Sequence, residues 1–392
     1  MEREIASFRH VSDPFRYFQG DDCLTALERE LGRAGSERAV LVSAGSVARN
    51  DMLMDRIMSA AGGRIASVFA DVKAHSPVPS VEAAAEMLKA NRADAVVAVG
   101  GGSAMVTARA ASILLAENKP VGELCTYRDA DGKIVSPRLN APKLRQFVVP
   151  TTPTSAIVKA GSAVHDPEGN RRCALYDPKT RAQAVFVDPE MILSAPEKLV
   201  ESACLDTFVL AAEVLLANRA DAISDGLLLH VLRLTLDVYG AGGSGDSAEA
   251  RARLMSAAVM CGRGTDNLSA GVATALGHAI ASYCEADNGI TKYVLLPHVM
   301  AFNERAAADT LPKIAFAMSG HTGTNGAMGA VRDTLSVLTE RLSLPTRLRD
   351  IGVSKDCLPK VAADAMDDWW IRGNPRTIRG ASELEDLLED AW

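Results

Sequence analysis

Five apolar residues, 95–99, run directly into Gly100, Gly101, Gly102 and Ser103, and a stretch of helical spacing over 104–115 follows at once. A short strand that turns through glycines into a helix points to a parallel sheet, because a helical crossover is the usual way to return the chain to a parallel neighbour. The residues before it fit the same scheme: helical spacing over 23–34, an apolar run at 39–43, helical spacing over 51–61, a strand over 67–70 and a helix over 81–90. Short apolar strands separated by helices predict a Rossmann-like half with helices on both faces of the sheet.

From Pro189 onward the period changes. Long alanine- and leucine-rich segments at 205–216, 222–239 and 248–262 carry helical spacing, and strand-like alternation fades. The expected architecture is therefore an α/β N-terminal Rossmann-like parallel-sheet domain over residues 1–188 plus an all-α C-terminal domain over residues 189–392, with ligands in a cleft between the two. A chain of 392 residues, 48% hydrophobic and 23% charged, is long enough for two cores. No internal repeat is visible, and the Gly- and Ser-rich stretch at 241–249 reads as a loop.

A net charge of -7 offers no concentrated basic surface for nucleic acid or an anionic membrane, which leaves a small-molecule substrate as the expected partner. The first residues, MEREIASFRHVSDPFRYF, lack the apolar core of a secretory signal, and no stretch reaches the ~18 apolar residues of a membrane span. Cytoplasmic residence is the expectation. The seven cysteines (Cys23, Cys125, Cys173, Cys204, Cys261, Cys284 and Cys357) are scattered singly with no CxxC pair, so they read as buried reduced thiols rather than a disulfide framework or a zinc ribbon.

The glycine turn is the first segment that carries chemistry. Glycines let the backbone approach a pyrophosphate, and the amides and positive dipole end of the following helix favour the anion, although a glycine cluster after a strand is as often only a tight turn. A second segment, Val148–Ser155, is a strand ending in Thr151, Thr152, Thr154 and Ser155, whose hydroxyls suit a ribose or phosphate and also suit an ordinary Ser/Thr turn.

Taken in order with other short pieces, these segments resemble one family. The pieces are Phe18-Gln19-Gly20, Gly100–Ser103, Pro150-Thr151-Thr152, Leu193-Ser194-Ala195-Pro196 leading to Asp206, and Gly277-His278. Leu295-Leu296-Pro297-His298-Val299-Met300 with Asn303, Asn374-Pro375-Arg376 and Ala391-Trp392 complete the set. The chain resembles the iron-containing, or group III, alcohol dehydrogenases and the related maleylacetate reductases of the dehydroquinate-synthase-like fold. The likeness covers nearly the whole chain.

That resemblance implies a catalytic metal on the helical domain, held by one aspartate and three histidines. Here the aspartate is Asp206, but Leu210, Thr274 and Asn288 stand where the histidines belong. Leucine cannot coordinate, and threonine and asparagine are weak ligands, so metal is expected to be absent. A rebuilt site using Asp206, His278 and Glu285 or Asp287 stays open. The resemblance makes His278 the catalytic acid, with Asp206 and Asn288 beside it and Leu210, Thr274 and Lys159 lining the substrate pocket; a packed core histidine is the bland alternative. His298 reads as structural. Two departures lie near the chemistry: Val106 and Arg109 replace an acid and a lysine, and Thr154-Ser155-Ala156 shortens a Gly-Thr-Gly-Ser-Glu loop.

The implied cofactor is NADP or NAD, bound by Ala44, Ser46, Arg49, Gly100, Gly101, Gly102, Ser103, Thr151, Thr152, Ser155 and Arg172. NAD-selective members carry an acid after the second strand; Ala44 stands there instead and favours NADP. Relatives imply a homo-oligomer, such as a dimer. The leading expectation is a reductase of a small carbonyl or oxo acid. A non-redox lyase or hydrolase on the same scaffold, and a nucleotide-binding protein that has lost catalysis, remain the alternatives.

Overall fold

The computed structural model describes residues 7–129, 131, 133–169, 171–217, 221–240, 243–321 and 326–392. Residues 1–6, which open the segment read for a signal, and Ala241 and Gly242 of the glycine-rich stretch lie outside the described residues. Two compact units emerge: Asp13–Pro196, and Glu197–Trp392 with the described residues before Asp13.

The α/β unit is built on strands β1 (Arg16–Gln19), β2 (Ala39–Ala44), β3 (Ile65–Val72), β4 (Ala95–Gly100) and β5 (Arg145–Pro150). A hairpin of β6 (Gly161–Asp166) and β7 (Arg171–Tyr176) precedes β8 (Ala182–Val187). Six of these form one sheet in the order β1-β8-β5-β4-β2-β3, and every neighbouring pair is parallel. A parallel sheet covered on both faces needs strands apolar throughout, which is why residues 95–99 read as an unbroken run and why β4 is buried along its length. Leu27, Leu31, Leu41, Val97, Phe147 and Phe186 meet in the core on one side of the sheet. Phe18 on the edge strand stacks on Phe186, with ring centroids 5.2 Å apart, and thereby ties β1 to β8.

Register then fixes the functional geometry. Ser43 pairs with Val99 and Gly100 with Pro150, so the carboxyl ends of β2, β4 and β5 lie side by side. Open α/β sheets bind their ligands at such strand ends.

In the second unit the helix Glu197–Leu216 has 15 of its 20 residues buried. A helix apolar on nearly all sides has to be surrounded. Helices Ala222–Tyr239, Ala248–Gly264, Val272–Tyr283 and Asn288–Asn303 all pack on it. Asp221 and Asp287 cap two of them, accepting from the amides of Ile223 and Ser224 and of Ile290 respectively. Among the described residues no helix is long and apolar enough to cross a membrane.

One reading needs correction. Five of the cysteines are buried, but Cys284 and Cys357 are only half-buried, and their Sγ atoms lie 3.7 Å apart. Cys284 caps the end of the Val272–Tyr283 helix and Cys357 ends a short turn, places where burial is incomplete.

Candidate functional site

The glycine turn and the hydroxyl segment, 50 residues apart in the chain, meet because β4 and β5 are neighbours. Thr151 N–H donates to the Gly100 carbonyl at 2.9 Å. Gly100 has φ +136°, and a Cβ there would lie 2.8 Å from the Ala44 Cβ, so both backbone conformation and packing demand glycine. A Cβ on Gly101 would lie 3.1 Å from Thr152 Oγ1, and one on Gly102 would lie 3.5 Å from Thr154 Oγ1. Ala44, Gly100, Gly101, Gly102, Thr151 and Thr152 therefore form one continuous surface. The helix Gly102–Glu117 that follows has no side-chain cap, since Gly101 has none to offer, and its first amides and positive end are set toward this surface.

Two further side chains hold this surface in shape, and the first of them carries no signal in the sequence. Ser76, buried and left-handed at φ 49°, donates through Oγ to the Ser103 carbonyl at 3.1 Å and accepts from Thr107 Oγ1 at 3.0 Å. Arg109, buried within the glycine-turn helix, donates from Nη1 to the Ala156 carbonyl at 2.6 Å and from Nε to Ser162 Oγ at 3.3 Å. It braces the Ser155–Ile157 turn.

Ser46 and Arg49 are exposed after β2, and the Arg49 guanidinium folds back until Nη1 is 3.0 Å from where a Gly45 Cβ would stand. Arg172 is exposed on the hairpin, in register with His165, and Lys159 is half-buried just before β6.

In the helical unit the four positions that should ligate a metal have different company. Asp206 Oδ1 accepts from Lys292 Nζ at 2.7 Å. Leu210 is buried, and Thr274 Oγ1 donates to Glu213 Oε2 at 2.5 Å. Glu213 also accepts from the amides of Ala273 and Thr274 and so caps the Val272–Tyr283 helix; burial pushes its carboxyl above the usual range, against these hydrogen bonds. Asn288 sits in the first turn of its helix with Oδ1 buried and without a hydrogen bond.

This donor set does not fit a transition metal. The rebuilt alternative fares no better: Asp206 goes to Lys292, His278 to Asp368, and Asp287 to Ser202 Oγ at 2.6 Å. Among the described residues no three His, Cys, Asp or Glu side chains gather as a metal site would require.

Lys292 reaches Asp206 along a path that the sequence partly encodes. A Cβ on Gly277 would lie 2.7 Å from Lys292 Cγ and 2.9 Å from Cε, so glycine at this position makes room for the lysine stem. His278 follows immediately. Its Nδ1 bonds Asp368 Oδ2 at 2.7 Å, and Asp368 in turn accepts from Trp370 N–H at 2.9 Å. A carboxylate on Nδ1 sets the ring's tautomer and orientation. His298 is different: burial pushes its imidazole below the ordinary value, the Arg347 charge pushes the same way and Asp390 opposes. That suits a packing residue.

Residues 14–189 match the family model of iron-containing alcohol dehydrogenases, and residues 201–392 match the model of that family's C-terminal region. The chain is 27% identical over 386 residues to lactaldehyde reductase of Escherichia coli, covering 95% of this chain and 97% of that one. The crystal structure of maleylacetate reductase from Agrobacterium tumefaciens superposes with a TM-score of 0.78 at 23% identity, covering 99% of each chain. Sulfoacetaldehyde reductase from Bifidobacterium kashiwanohense, solved in complex with NAD+, does so with a TM-score of 0.85 at 20% identity, again covering 99% of each.

Proposed function

This chain belongs to the iron-containing alcohol dehydrogenase family of oxidoreductases, and on that premise we propose that it is an NAD(P)H-dependent reductase of a small aldehyde or oxo acid that needs no catalytic metal. The observation that carries the reading is the His278–Asp368 pair, an oriented proton donor on the helix where Thr274 replaces a ligand. The names of the relatives above support the substrate class, two of them being reductases of an aldehyde and the third of an oxo acid.

The α/β unit would hold the dinucleotide through Gly100–Ser103, Thr151, Thr152 and Ser155. Ala44, Ser46 and Arg49 would face its adenosine end, and Arg172 and Lys159 are secondary candidates. Ala44 presents no carboxylate to a 2′-phosphate, and the charge of exposed Arg49 favours one, which supports NADPH over NADH. When bound, the reduced nucleotide supplies the hydride that lands on the carbonyl carbon. As that bond forms, the C=O π pair moves to oxygen, and His278 Nε2 delivers the proton that makes the alcohol. Asp368 stabilises the charged imidazole beforehand and holds its ring angle throughout. One carbonyl, one hydride and one proton thus give one alcohol.

The experiment is a fluorescence titration with NADPH and NADH, followed by absorbance assays of NADPH oxidation with lactaldehyde, sulfoacetaldehyde and a 3-oxo acid. Binding with turnover on one of them is expected. Failure to bind either nucleotide would remove the reading.

A further inference from the structure

We propose that the Lys292 ammonium takes the place of the family's metal, holding Asp206 and supplying the positive charge that polarises the substrate oxygen. The chemistry rests on the reductase reading above; the placement stands on contacts that are independent of it. Lys292 lies one helical turn after Asn288 and therefore on the same face of the Asn288–Asn303 helix. Its stem crosses Gly277 of the Val272–Tyr283 helix, where Thr274 also sits. Its Nζ ends on Asp206 of the Glu197–Leu216 helix, 2.7 Å from Oδ1, one turn before Leu210. One side chain thus links the three helices that carry all four positions of the family's metal site.

Stability alone does not account for such a lysine. Its side chain is 5% exposed, while lysines normally lie along apolar surface and keep the ammonium in water. Burying the charge has a desolvation cost that Asp206, together with the Glu213 carboxyl whose titration Lys292 also influences, offsets incompletely, and apolar replacements of buried pairs are often neutral or stabilising. Asp206, at 24% exposure, is the more accessible member of the pair. A carbonyl oxygen drawn to the pair would accept a hydrogen bond from Nζ, whose charge stabilises the negative charge arriving on oxygen. The proton comes from His278, so Lys292 keeps its own and no further reactant is needed.

The test compares two variants loaded with Zn²⁺ and freed of excess by gel filtration. The first, L210H/T274H/N288H, restores the histidines and keeps Lys292; the second adds Lys292→Ala. Far less than one zinc per chain is expected for the first and about one for the second, because only then are the space and Asp206 released. Stoichiometric zinc in the first, or none in a folded second variant, overturns the placement. Neither result depends on a substrate, so failure here is distinct from failure of the reductase reading, which the nucleotide titration tests.

Should those variants not fold, Lys292→Met and Lys292→Arg carry the test through turnover on whichever of the three carbonyl probes is reduced. Lys292→Met should lose roughly 10²- to 10³-fold in kcat with NADPH affinity unchanged, and Lys292→Arg, which keeps the charge, should recover most of the loss. Near-normal kcat in Lys292→Met, or no recovery in Lys292→Arg, overturns the role.

Discussion

Replacing Gly277 by alanine probes the lysine path without touching any charge. The added methyl would stand 2.7 Å from Lys292 Cγ, 2.9 Å from Cε and 3.4 Å from Cδ. Carbon atoms pack best at ~3.5–4.0 Å, so the overlap is close to 1 Å at two points of the stem. The stem has little room to yield, since its Cα end lies in a buried stretch of helix and its Nζ end is bonded to Asp206. Overpacking of this kind costs ~1–3 kcal/mol, and loss of the Lys292–Asp206 pair adds to it. Alanine's better helix propensity returns about 1 kcal/mol, which leaves a net destabilisation of roughly 1–3 kcal/mol. Gly226 is the control: it lies exposed within the Ala222–Tyr239 helix, and a Cβ there meets nothing within 4 Å. Gly226→Ala should therefore stabilise by about 1 kcal/mol. Urea unfolding followed by circular dichroism reads both variants against the parent. Midpoints moving in opposite directions are expected. If Gly277→Ala moves up together with Gly226→Ala, the lysine stem does not lie where the argument needs it.

Three further outcomes follow from the site. Ala44→Asp should weaken NADPH by at least about tenfold while changing NADH little, since a carboxylate repels a 2′-phosphate and accepts from a 2′-hydroxyl; equal losses in a fluorescence titration would show that Ala44 is not at the adenosine end. Asp368→Asn should lower kcat by roughly 10- to 10³-fold, by mis-setting the tautomer of His278, with nucleotide affinity kept; an unchanged kcat would make the pair structural. The half-buried imidazole of His298 titrates below its unfolded value of about 6.5, so the unfolded chain binds more protons in that window. Its contribution to stability is full above that value and declines as pH falls through the folded one. His298→Asn should flatten this acid limb of the unfolding midpoint, and an unchanged limb would locate the effect elsewhere.

Much of the fold could be read because its signals are local. The run at 95–99 with its glycines announces a buried parallel strand and its turn, and residues 222–239 delimit a helix that the structure reproduces. Strand β1 gave no such signal: Arg16–Gln19 is a four-residue edge strand of mixed polarity, and its pairing with residues 184–187 is decided by tertiary contact. The same division holds in the site. Loss of ligands is visible at Leu210, Thr274 and Asn288, because a motif states what each position should hold. Lys292 belongs to no motif, and a lysine within a helix normally reads as a solvated charge. Asp368 is 90 residues from His278, and only folding brings the two within hydrogen-bonding distance. Arg109 was noticed as a departure from the family, but its role as a brace depends on β6 lying beside the glycine-turn helix.

The central claim is hydride transfer to a carbonyl without a metal, and chelation tests it most directly. The purified protein is dialysed exhaustively against a strong chelator, its Fe and Zn are measured by elemental analysis, and NADPH oxidation with the best carbonyl probe is compared before and after. The account predicts far less than one metal per chain and an unchanged rate, because Asp206 is already paired with Lys292 and its three companion positions offer no strong ligand. Stoichiometric metal in the starting protein, with turnover lost on chelation and restored by adding that metal back, would contradict it.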